Sequence, residues 1–200
     1  MTIVPMLVKV KNSDQCVATY AFLDNGCGAV FVNKELSDTL HVRTRATKLF
    51  LRTINLEETV DTETTLDQLQ IGSIDGTTFI DLPDAYIKDI PVDEQEILTQ
   101  RDINKWKHMQ SVKLPKLDTT QACLPKVTMM IGINVPAATT PLETRVGDIG
   151  QPYAVKSPLG WLVYGLPGRG KTTDVHFCSA TSIQKSNQPL EQSLHKQRQR

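Results

Sequence analysis

Three things are missing from this 200-residue chain: an excess of charge of one sign, paired cysteines, and long apolar runs. Its 22 Lys and Arg balance 22 Asp and Glu, so no global field directs it to nucleic acid or to a membrane surface. No apolar run approaches the roughly 20 residues of a membrane span, and no membrane partner is expected. The opening "MTIVPMLVKVKNSD" lacks the charged start, apolar core and cleavage site of a secretory leader. The expected location is therefore intracellular, in the cytoplasm. The cysteines Cys16, Cys27, Cys123 and Cys178 contain no C-x-x-C pair, which argues for free thiols over a zinc ribbon or redox motif. His176 and Cys178 share "DVHFC" without a second ligand pair, so no metal is expected.

What is present suits one soluble domain: 40% of residues are hydrophobic, ample for a core. "MLVKVK" alternates, with Leu7, Lys9 and Lys11 opposing Met6, Val8 and Val10. "CVATYAFLD" is rich in β-branched and aromatic residues and runs into the turn signal Asn25-Gly26; "AVFV" is a short apolar strand after it. Asn33 is placed to cap a short helix through "KELSDTLH", with Leu36 and Leu40 on one face. "KLFLRTI" reads as a strand followed by a polar turn region, "NLEETVDTET". A hairpin is expected around Asp75-Gly76. Residues 92–112 change character and read as a helical insertion, with Thr99 a plausible cap. "KVTMMIGINVP" and "PYAVKSPLGWLVYG" return to strand. The closing "QKSNQPLEQSLHKQRQR" has too little apolar material to offset ordering entropy, so 168–200 is expected to be a glycine-rich exit and a solvated tail. A weak contact from this basic tail is the most nucleic acid would receive.

"GLPGRGKT", residues 165–172, matches the phosphate-loop pattern G-x-x-x-x-G-K-[ST]. Such a loop works only between a buried strand and a helix whose N-terminal amides face the anion. "TTDVHFCSATSIQKSNQ" carries no apolar residues at helical spacing, and the upstream run of strands does not alternate with helices. No nucleotide is expected there.

The chemistry points instead to "YAFLDNGCGAVFV", where an apolar strand delivers Asp24 into a glycine turn. A plain hairpin turn is the simpler account of those residues taken alone. About a hundred residues on, "TMMIGIN" shows an apolar strand broken at Gly132. Together these pieces resemble the signature of retroviral-type aspartic peptidases. With "WKHMQSVKLP" and "PLETRVGDIGQPYAVKSPLGW" the chain resembles, over residues 3–167, the aspartic peptidase segment of Pao/BEL-type retrotransposon polyproteins.

That resemblance implies a mainly β, retropepsin-like closed barrel over 1–167. It implies an aspartic endopeptidase cutting a polypeptide substrate, a polyprotein, without a cofactor. Two carboxylates facing one water cannot both ionise, so they share a proton, one acting as base and the other as acid. The chain offers one Asp-x-Gly, so the second Asp24 would come from an identical chain in a homodimer. Gly26 would permit the sharp turn, and Ile131 and Gly132 would lie behind the active loop. "KLFLRTINLEETVDTETTL" sits where such enzymes carry the flap hairpin, with the flap itself in 53–62 and at Thr53, Ile54 and Asn55. Asn25 stands where Thr or Ser is usual, and in retroviral peptidases that hydroxyl locks the two loops together. This departure, with no capsid, reverse transcriptase or integrase neighbours, keeps open a second reading: a catalytically inactive peptidase-fold binding module or relic of a retroelement. Asp81 and Asp84 in "IDLPDAY" read as turn residues, His41 and His108 as packing or capping residues, and Cys27 as structural rather than nucleophilic.

Overall fold

The computed structural model describes residues 2–52, 57–92, 96–117 and 122–165. The alternating N-terminal segments build its centre. Strand β1 (Thr2–Val10) lies antiparallel to β2 (Cys16–Asp24), with Thr2 opposite Leu23 and Lys9 opposite Cys16. Val4, Met6 and Val8 of β1 join Val17, Ala21 and Leu23 of β2 in the main core, as a period of two requires. β3 (Val30–Val32) is buried throughout. The chain then turns into α1 (Lys34–Thr39), where Asn33 Oδ1 accepts the Leu36 N–H at 2.9 Å, a cap worth about 1 kcal/mol. Leu36 and Leu40 face the main core as their spacing predicts.

β4 (Thr44–Arg52) and β5 (Glu57–Thr65) form a long hairpin paired from Thr44–Thr65 to Arg52–Glu57. The polar stretch read as a turn region is thus largely strand. Its Glu, Asp and Thr residues are mostly solvated, so the ladder carries it without an apolar face. Thr53, Ile54 and Asn55, the expected flap, lie outside the described residues, as do 168–200.

β6 (Leu69–Gly72) and β7 (Phe79–Asp81) make the expected second hairpin, and Gly76 at φ +70° supplies the left-handed turn residue. Asp75 Oδ1 accepts from Ser73 Oγ (2.6 Å), the Thr77 N–H (3.0 Å) and Thr77 Oγ1 (2.7 Å). Those donors lower its pKa from 3.8 to about 2. A depressed carboxylate contributes stability that is fully present above its unfolded value and lost as pH falls through the folded one. An NMR titration should place the Asp75 midpoint near 2, and Ser73→Ala should raise it; a midpoint at the ordinary 3.8 would show the turn is not closed.

β8 (Ala85–Ile87) runs parallel to β3 and meets β5 at Thr64–Tyr86. Within the insertion, α2 (Gln100–Ile103) starts where the Thr99 N–H donates to Asp102 Oδ2 at 2.7 Å, and a 3-10 turn spans Lys107–Met109. β9 (Cys123–Gly132), α3 (Pro136–Thr139), β10 (Glu143–Arg145), β11 (Tyr153–Ser157) and β12 (Gly160–Tyr164) complete the described chain. The first nine strands form one sheet in the order β4-β5-β8-β3-β9-β2-β1-β6-β7; the last three form another, β10-β11-β12. The protein is mainly β, and the large sheet curls into a half-barrel. The closed barrel expected from the sequence is realised only to that extent, because β4 and β7 end the ladder without pairing with each other.

β11 and β12 of the small sheet place buried side chains on both faces. Leu162 enters the main core, while Ala154 and Val163 meet Ile103, Met109 and Val112 of the insertion. No helix among the described residues is long and apolar enough to cross a membrane.

Candidate active site

Asp24 ends β2 near the middle of the large sheet. β2 runs parallel to β9, and Asp24 stands beside Gly132. That register is set by irregular pairing. Ala18 faces Cys123, an offset of 105, whereas Asp24 faces Gly132, an offset of 108, and both shifts fall next to Tyr20. Without them Asp24 would stand beside Met129. Pro125, which has no N–H for a ladder, sits in the segment where pairing slips. The buried Thr19 and Thr128 hydroxyls, 2.7 Å apart, tie the strands across the irregularity.

After Asp24 the chain crosses the end of β9 and returns on its other side as β3, with Val30 opposite Ile131. The loop therefore straddles Gly132. A Cβ there would lie 2.3 Å from the Cys27 carbonyl oxygen, 2.5 Å from that of Ala29 and 2.8 Å from the Ala29 nitrogen. The Ile133 N–H donates to the Cys27 carbonyl at 2.8 Å, pinning the loop to the strand end. Inside the loop, Asp24 Oδ1 accepts the Gly26 N–H at 2.8 Å, and the Asp24 carbonyl accepts the Cys27 N–H at 3.2 Å. These bonds fix the carboxylate's rotamer. Asp24 is 6% exposed, while Asn25, Gly26 and Gly28 face solvent.

Leu23 and Ile131 point into the main core, so Asp24 belongs to the opposite sheet face. That face carries a row of paired positions, Phe22–Met130–Phe31–Tyr86. Phe31 and Tyr86 pack ring to ring at 6.1 Å. A second cluster joins them to Cys27, Ala29, Leu49 and Leu51, with Val60 and Met130 at its margin. The β4–β5 hairpin is thereby packed against Cys27 and Ala29 of the Asp24 loop, with Leu49, Leu51 and Phe31 each worth about 1.5–3 kcal/mol of transfer free energy. Periodicity within single strands does not show that these residues meet, because they come from segments far apart in the chain.

Asp24, Asn25, Gly26, Ile131 and Gly132 are thus brought together, and the other titratable candidates are placed elsewhere. Asp81 lies in β7, not in a turn, and its carboxylate is held by Lys11 Nζ and Gln70 Nε2, both at 2.6 Å, which lower its pKa. His108 Nε2 is 2.8 Å from the Pro152 carbonyl, and its ring lies 6.3 Å from that of Trp106, a packing role. His41 follows α1 in left-handed backbone at φ +52°. Cys27 is buried with Sγ 3.5 Å from the Ala29 carbonyl. Among the described residues no three His, Cys, Asp or Glu side chains are grouped to hold a metal; His176 and Cys178 lie outside them.

A cavity of about 260 Å³ lies between the insertion and the outer face of β1 and β2, lined by Ile3, Pro5, Tyr20, Leu98, Leu114 and Trp161 among others. No residue of the Asp24 loop lines it, so this hollow and the buried carboxylate are separate features. Burial, and to a lesser degree Cys123, raises the Tyr20 pKa at its wall. No family model matches the chain, nor does any curated protein or solved structure.

Proposed function

We propose that the protein is an aspartic endopeptidase of the retropepsin-like kind, of retrotransposon origin, acting as a homodimer in which each chain contributes Asp24. The observation that carries this reading is the clamp at Gly132: a strand-end aspartate, its rotamer fixed by the Gly26 amide, on a loop seated over a glycine that admits no side chain. In the dimer one carboxylate takes a proton from the water that attacks the scissile carbonyl. The other, protonated, gives its proton to the departing amide nitrogen, and the pair titrates as a unit. No metal or cofactor is needed for that step. The substrate is a polypeptide.

A second reading, a silent peptidase-fold binding module, is supported by Asn25, whose longer amide replaces the usual hydroxyl on the exposed part of the loop. One experiment separates the two. Purified protein is incubated with a peptide library from acidic to neutral pH, beside Asp24→Asn. Cleavage that the substitution abolishes supports the peptidase; no cleavage leaves the binding module, and cleavage that persists in Asp24→Asn removes the Asp24 peptidase claim.

A further inference from the structure

β10 is the outer strand of the small sheet, and no strand lies beside its free edge among the described residues. Its flanking residues are unusually apolar for an exposed position: Leu142 is 61% and Val146 69% exposed. By the strand period Leu142, Thr144 and Val146 share one face, and Glu143 and Arg145 the other. Within one chain the Glu143 carboxylate pairs with the Arg145 guanidinium, which also lies 5.7 Å from the Trp161 ring.

The five residues Leu142-Glu143-Thr144-Arg145-Val146 are complementary to themselves when run antiparallel. With Thr144 opposite a second Thr144, each Leu142 faces a Val146, and each Glu143 faces an Arg145. We propose that β10 pairs with β10 of a second copy across a two-fold axis at Thr144, joining two three-stranded sheets into one of six. An isologous contact of this kind needs one patch that fits itself in shape and charge, and this strand is such a patch. Pairing covers the exposed Leu142 and Val146 and satisfies an open edge. The inference rests on the shared-dyad reading for its place in catalysis: a two-fold pair of chains is what would supply the second Asp24.

Charge reversal tests it. Glu143→Arg alone sets Arg against Arg across the axis, and Arg145→Glu alone sets Glu against Glu. Each should self-associate at least about tenfold more weakly than the wild-type chain in sedimentation equilibrium. Mixing the two variants should restore dimers, because an all-Arg strand then meets an all-Glu strand; an ion pair confined to one chain predicts no such recovery. The double variant Glu143→Arg/Arg145→Glu should dimerise like wild type, and unchanged circular dichroism confirms that the variants are folded. A wild-type chain that stays monomeric at high concentration, or single variants that associate as wild type does, would overturn the pairing. Dimers that follow this charge pattern but cleave no peptide uphold the pairing and remove the peptidase reading instead.

Discussion

Gly132→Ala should destabilise the protein by on the order of 3 kcal/mol and abolish whatever activity depends on the Asp24 loop. The three nearest atoms to the added methyl are all main chain, two carbonyl oxygens and one nitrogen, at 2.3, 2.5 and 2.8 Å. A clash with the end of a flexible side chain is relieved by a rotamer change; this one needs the loop to lift. Lifting it breaks the bond from the Ile133 N–H to the Cys27 carbonyl and disturbs the Val30–Ile131 pairing. It also strains the apolar cluster through Cys27 and Ala29. Against a typical total stability of about 5–15 kcal/mol that is a large share. Ile133→Ala, one residue on and mostly exposed, should change stability by no more than about 0.5 kcal/mol and serves as the control. Denaturant unfolding of both variants decides the matter. Equal midpoints would mean that the loop does not rest on Gly132.

The same glycine shows how far the sequence alone could be read. An interruption in "TMMIGIN" is visible as letters, and so is an aspartate at the end of an apolar strand. That the two stand side by side depends on a parallel pairing more than a hundred residues apart and on two slips in its register, neither of which leaves a local pattern. Elements governed by near neighbours were legible: the alternation of β1, the Asn33 cap, the Asp75-Gly76 hairpin. Strands without an apolar pattern of their own were not. β5 is polar almost throughout and is a strand because β4 lies along it. β10 is three residues long, none of them buried, and its own letters carry no strand signal. Of the phosphate-loop look-alike, only Gly165 is described; it follows β12 at φ +79° and leaves the strand, and residues 166–172 lie outside the described region.

Asp24→Asn should lower peptide turnover by about a thousandfold or more while leaving the fold in place. The amide has nearly the shape of the carboxylate, and its oxygen can still accept the Gly26 N–H, so the loop keeps its internal bond. What is lost is the proton: an amide can neither take one from water nor give one to the leaving nitrogen. Unfolding curves close to those of the wild-type chain would show that the defect is chemical. Mixing then asks whether two chains share one site. If each active centre needs two Asp24 carboxylates and dimers exchange freely, adding an equal amount of the variant leaves about a quarter of all dimers wholly wild type, and the activity of the original wild-type chains falls to about half. An enzyme complete in one chain would lose nothing on the same addition. Full retention of activity after exchange would sink the shared dyad, even where the wild-type protein alone cuts peptides.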